Sequence, residues 1–142
     1  MSDARQATQS GLMVYNATIQ GIAEPLRVLI DSGASDNFCR AQTLQKYPHV
    51  WECAKHSGDM VAIRLATGVI KRSPEVIATL KLKFSDFSSE EKFVVLDMDD
   101  RYDLILGIKW LKKHEPWIDW RSGSIASSQA LQNKATRDAL NS

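Results

Sequence analysis

The chain has 142 residues, 44% apolar and 25% charged, with a formal charge of +1. That length fits one domain with one modest core, and the charge sets up no field that would draw nucleic acid or an anionic membrane. No apolar run nears the roughly 20 residues needed to cross a bilayer, so the composition is that of an ordinary soluble globular protein.

Residues 1–10, "MSDARQATQS", are small and polar and read as a disordered leader without a secretory apolar stretch. In "GLMVYNATIQ" (11–20) the odd positions are the more apolar, which favours a strand. "GIAEP" (21–25) holds Gly and Pro and should turn the chain. "LRVLI" (26–30) is a nearly continuous apolar run, as in a buried strand, and the hairpin so formed delivers Asp31 at its far end. Residues 36–47 lack Gly and Pro and predict a short helix with Phe38, Ala41 and Leu44 on one face, closed by Pro48. Residues 59–73 predict two strands around a turn at Ala66-Thr67-Gly68, where Gly68 supplies a permissive φ.

The segment 75–84 alternates cleanly, with Val76, Ala78, Leu80 and Leu82 on one face. A polar turn is expected over 84–91 and a buried strand over 92–98. "DDRYD" (99–103) interrupts before the apolar "LILG" (104–107), and 108–114 reads as a helix stopped before Pro116. Residues 117–125 hold a last strand and turn, and 127–142 are polar and Ala-rich, a weak helix or a frayed tail. Six or seven short strands with one or two short helices point to a small β-rich barrel or sandwich.

The stretch "VLIDSGAS" places a carboxylate, Asp31, at the end of a hydrophobic strand and runs at once into Ser32, Gly33 and Ala34. The strand end gives rigidity. The small residues leave room for backbone N–H groups to face the carboxylate and for another chain to approach. Taken alone, Asp-Ser-Gly is also an ordinary turn. Here it is joined, about seventy residues on, by "YDLILGIKWL" and "PWIDW".

In that ordered set the chain resembles the retropepsin-like aspartic proteases, in particular those of gypsy-like long-terminal-repeat retrotransposons and their host-domesticated relatives. The likeness spans roughly Gly11 to Ile125. It implies an all-β acid-protease barrel with one short helix after the "ILG" strand, working as a homodimer. The protease domain would occupy 11–126, with the tail from 127 outside it. The resemblance makes Asp31 the catalytic aspartate and gives Ser32 the hydroxyl that braces the two active-site loops. Gly33 and Ala34 would line the cleft, Ala66, Thr67 and Gly68 would form the flap, and Ile105 and Leu106 would flank a substrate pocket. In retroviral members an acid placed as Asp36 is placed meets an arginine after the strand's glycine. Ile108 follows Gly107 here, so that ion pair is expected to be missing.

Peptide hydrolysis by an activated water needs one carboxylate as base and a second, protonated, as acid. One Asp-Ser-Gly in 142 residues therefore calls for a second copy of the chain, related by a two-fold axis. The expected partners are that copy and a polypeptide substrate, the element's own polyprotein, with neither nucleic acid nor membrane involved. The rival reading is a catalytically silent module of the same fold that dimerises or binds peptide.

No cofactor or metal is expected: Cys39 and Cys53 read as free thiols, and His49, His56 and His114 complete no zinc spacing. The acidic residues Asp97, Asp99, Asp100 and Asp103 read as a solvated loop, with Asp103 holding the turn before "LILG". Lys109, Lys112, Lys113 and Arg121 read as a solvated patch, and Trp110, Trp117 and Trp120 as core. The expected location is the cytoplasm or the interior of virus-like particles.

Overall fold

The computed structural model describes residues 13–64 and 67–127. The expected leader, Ala66 of the expected flap, and residues 128–142 of the expected tail lie outside the described residues.

Strands β1 (Met13–Ile19) and β2 (Ile22–Ile30) form the first hairpin, closed by the pair Ile19↔Ile22. Its turn is only Gln20-Gly21, and Gly21 takes φ +92°, a value that L side chains rarely adopt. The sequence had the turn extending over 21–25. Instead Pro25 lies within β2, beside a register shift opposite Ala17–Ile19, where its missing N–H breaks no regular ladder. Met13, Ala17 and Ile19 face inward as the alternation predicts. Val28, Leu29 and Ile30 are all buried, because β2 lies inside the sheet between β1 and a later strand.

The expected helix over 36–47 is a short strand, β3 (Phe38–Arg40), followed by helix α1 (Ala41–Gln45). Phe38 is thus a strand residue, and Phe38, Ala41 and Leu44 share no helix face. Pairing to two neighbouring strands outweighs the local helix preference. Pro48 closes nothing: it opens a second helical turn, α2 (Pro48–Trp51), where a first-turn proline loses no hydrogen bond.

Strands β4 (Lys55–Arg64) and β5 (Ile70–Phe84) make the hairpin expected around 66–68. β5 runs unbroken through Pro74, where the sequence suggested a break. The expected polar turn over 84–91 shrinks to Ser85-Asp86. β6 (Phe87–Leu96) begins at once, and Phe84 pairs with Phe87. The alternation there is masked because a buried glutamate, Glu91, occupies an inward position between Phe87 and Phe93.

Strand β7 (Leu104–Leu106), helix α3 (Ile108–His114), and the hairpin β8 (Trp117–Asp119) with β9 (Ser124–Ala126) complete the chain. α3 has the predicted bounds. It ends on Glu115 in the left-handed region (φ 43°) just before Pro116, with Lys112, Lys113 and His114 in its last turn.

The main sheet has the order β1-β2-β7-β3-β6-β5-β4, and β1 also pairs with β5. That extra pairing closes six strands into a barrel and leaves β4 outside it. Trp110 of α3, 1% exposed, plugs the barrel against Phe84 and Phe87, at centroid distances of 5.7 and 5.1 Å. Trp117 and Trp120 are not core as expected: they are 46% and 70% exposed. The β8–β9 hairpin is a separate two-stranded sheet, tied to the barrel by the Tyr15 hydroxyl, which donates to the Gly123 carbonyl at 2.6 Å.

Candidate active site

β7 lies between β2 and β3, parallel to the first and antiparallel to the second. A strand so inserted holds the loop from Asp31 to Asn37, which must cross its end. Asp31 sits one residue beyond the pair Ile30↔Leu106, and its N–H donates to the Leu106 carbonyl at 2.9 Å. The Ala34 N–H donates to the Asp31 carbonyl at 3.1 Å, and the Gly33 N–H donates to Asp31 Oδ1 at 2.9 Å. Asp31 is half-buried, and Ser32 and Gly33 are exposed. A Cβ on Gly33 would lie 3.2 Å from Oδ1, tighter than ordinary contact, so glycine keeps the carboxylate approachable. The Ser32 hydroxyl has no partner among the described residues.

The loop is locked from below by Asn37, which the sequence did not single out, and by the glycine of "LILG". Asn37 is 6% exposed. Its Oδ1 accepts from the Gly107 N–H at 3.0 Å, its Nδ2 donates to the Lys92 carbonyl at 3.3 Å, and its carbonyl accepts from Val94. One side chain thus ties the loop to β6 and to the start of α3. Gly107 approaches so closely that a Cβ there would meet the carbonyl oxygens of Asp36 and Ala34 at 2.3 and 2.6 Å. The next residue's N–H, Ile108, donates to Ala34 at 2.9 Å. The ion pair expected to be missing is made by another residue: Lys109 Nζ lies 3.2 Å from Asp36 Oδ2, one position after Ile108 and one helix step around α3.

Beside Asp31 and Ser32 opens a cavity of about 110 Å³ whose other walls are apolar: Met13, Ile30, Leu111, Ile118 and the exposed Trp120. Larger hollows of about 490 and 340 Å³ lie around the β1–β2 turn and include no residue of the Asp31 loop. Of the two expected pocket residues, Ile105 is half-exposed, whereas Leu106 is fully buried and packs in the core. In the expected flap, Thr67 and Gly68 are exposed, and Gly68 takes φ +88° with open space around it.

Elsewhere several polar residues have structural partners. Asp103 accepts from the Arg27 N–H at 2.9 Å and from the Thr43 hydroxyl at 2.6 Å, which holds the turn before β7. Asp99 pairs with Arg101 at 3.0 Å. No group of three His, Cys, Asp or Glu placed to hold a metal ion occurs among the described residues. Cys39 is fully buried, and burial, with the Asp103 charge second, pushes its thiol far above the ordinary range, so it packs as an inert group. Glu91 receives His114 Nε2 at 2.8 Å and Lys113 Nζ at 3.0 Å, which pins the end of α3 to β6. Burial raises the Glu91 carboxyl, but these hydrogen bonds outweigh it and hold it below the usual carboxylate range.

A closed β-barrel with an inserted strand and an aspartate loop crossing its end is the retropepsin-like acid-protease fold. Two solved structures share it. The retroviral protease-like domain of Ddi1 from Leishmania major aligns at 17% identity and TM-score 0.57, over 82% of this chain and 87% of its own. A retropepsin-like aspartic protease from Rickettsia conorii aligns at 20% identity and TM-score 0.50, over 78% and 79%. The family model of the PEG10/RTL1 protease domain matches residues 27–135, and the chain belongs to that family of retrotransposon-derived proteases. No curated protein matches it in sequence at a significant level.

Proposed function

We propose that the chain is an aspartic endopeptidase that works as a symmetric homodimer, with Asp31 of each protomer at the two-fold axis. The observation that carries this is the Asp31 carboxylate itself. It is held at a strand end by the Gly33 N–H, is reachable from outside, and occurs in the only Asp-Ser-Gly of the chain. Two carboxylates about 3 Å apart cannot both ionise, so the pair shares one proton and titrates as a unit. The ionised member takes a proton from water while the water oxygen attacks the scissile carbonyl carbon. The protonated member gives its proton to the carbonyl oxygen. The tetrahedral diol then collapses: the C–N bond breaks, the leaving nitrogen takes up the proton gained from water, and one diol hydroxyl returns its proton to the other carboxylate, which leaves the carboxyl product, the free amine and a singly protonated pair.

Two further features support a second copy. The Ser32 hydroxyl lacks a partner within the described residues, as suits a group that braces a neighbouring loop. Trp120, 70% exposed beside Asp31, offers apolar surface that a partner would cover. The β4–β5 hairpin is the flap, and the substrate is an extended peptide held by strand addition, the polyprotein of the encoding element. Cleavage of apolar-site peptides should be lost by about 10³-fold in Asp31→Asn. Equal rates in the two proteins would overturn the proposal. A parent that dimerises without cutting any peptide would instead be the silent module.

A further inference from the structure

We propose that Arg64 and Arg72, on the overhanging face of the flap ribbon, select substrate peptides that carry a carboxylate side chain. The inference rests on the protease reading above and names the chemistry that its flap would recognise.

Along β5, Ala78, Leu80, Leu82 and Phe84 form one buried face. The two-residue period of a strand carries that face upstream through Pro74, Arg72 and Ile70. Their cross-strand partners, in the pairs Met60↔Pro74, Ala62↔Arg72 and Arg64↔Ile70, share the same side. The face that packs the core lower down therefore runs past the end of the barrel with nothing beneath it among the described residues. All six residues are exposed, Met60 at 56% and Ile70 at 55%. An overhanging continuation of the core face is where a flap meets an extended peptide.

Its chemistry is specific. Four of the six side chains are apolar, which suits contact with apolar substrate residues. The other two are guanidinium groups at diagonal positions of one hairpin, within joint reach of a single carboxylate. Neither has an acidic partner among the described residues. The acids of the ribbon, Asp59 and Glu75, occupy odd positions and fall on the other side by strand alternation, as does Lys71. Two unpaired arginines amid apolar side chains form a reader for an acidic side chain, because a carboxylate there meets cations and hydrogen-bond donors while its neighbours meet Met60 and Ile70.

The test uses the full chain and a library of extended peptides with an apolar pair at the centre. At each flanking position, Asp or Glu is compared with Asn or Gln. The parent should show a preference in kcat/KM of roughly tenfold for the acid at one or more positions, weakening with salt. Arg64→Gln/Arg72→Gln should reduce that preference to about unity, while Lys71→Gln keeps it. Anisotropy of the same labelled peptides on Asp31→Asn, with and without the double arginine change, reads the preference without catalysis. Cleavage with no acid preference, or a preference that survives the double variant, overturns the inference and leaves the protease standing. If nothing is cleaved the protease reading falls, and the anisotropy alone decides: charge preference lost with the arginines supports the inference, and no charge preference overturns it.

Discussion

Gly107→Ala changes one hydrogen into a methyl group and should damage both stability and activity. Gly107 has φ −96° and ψ −163°, extended backbone that alanine adopts freely, so the effect is purely steric. The added Cβ would meet the Asp36 and Ala34 carbonyl oxygens at 2.3 and 2.6 Å. Both are backbone atoms, and each must retreat by roughly 1 Å to reach ordinary contact. Neither can do so alone. Ala34 O accepts from Ile108, and Asp36 is anchored by Lys109 and by Asn37, whose Oδ1 holds the Gly107 N–H itself. Overpacking of this kind costs about 3 kcal/mol, the upper part of its usual range, which lowers Tm by roughly 10 °C in a domain of this size. The same movement shifts the loop that holds Asp31, and a displacement near 1 Å costs about 100-fold in turnover. Urea unfolding and peptide cleavage measure the two effects. A Gly107→Ala protein within about 0.5 kcal/mol of the parent would refute the close approach of α3 to the Asp31 loop.

Glu91 sets an acid limb of stability. Its carboxyl lies below its ordinary value in the folded chain, so its contribution is complete above the unfolded value of about 4.3 and is lost as pH falls through the lowered folded value. Unfolding free energy of the parent should therefore drop on acidification below about pH 4.3, and Glu91→Gln should flatten that part of the curve; superimposable slopes would show that the His114 and Lys113 contacts carry no net linkage. Trp120→Ala should weaken self-association by at least about tenfold in sedimentation, as loss of a large central aromatic does. An unchanged association constant would place the dimer contact elsewhere.

Where a feature depends on a local pattern, it could be read from the residues alone. The strand that ends on Asp31, the alternation over 76–82 and the helix 108–114 carry their own signals in apolar spacing and in Pro116. β3 carries none. Phe38-Cys39-Arg40 is a strand only because β6 and β7 flank it, and the residues it pairs with there come more than fifty positions later. Gly107 was legible as the end of the "LILG" strand, but its close approach to the loop and the anchoring by Asn37 were not, for the same reason: a buried amide and a forbidden Cβ depend on partners seventy positions apart. Glu91 hid the first half of β6, whose second half was legible in the apolar run from 92, because a paired buried carboxylate looks like a turn residue until His114 and Lys113 are placed beside it. Trp117 and Trp120 lie exposed where their bulk predicts core, because aromatic bulk marks burial without saying whether the chain itself or a second copy supplies the cover. The ion pair of Asp36 was expected to be missing because Ile108 holds the position after Gly107, but the helix offers Lys109 one step later.

The claim that one acid comes from each of two chains is tested most directly by mixing. A fixed amount of active protein is equilibrated with an equal amount of Asp31→Asn protein, and cleavage is followed. Random exchange leaves about one quarter of dimers with two aspartates, so the rate should fall to about half of its starting value. A rate that does not change, with exchange confirmed by labelled chains, would mean that a single protomer holds the whole site.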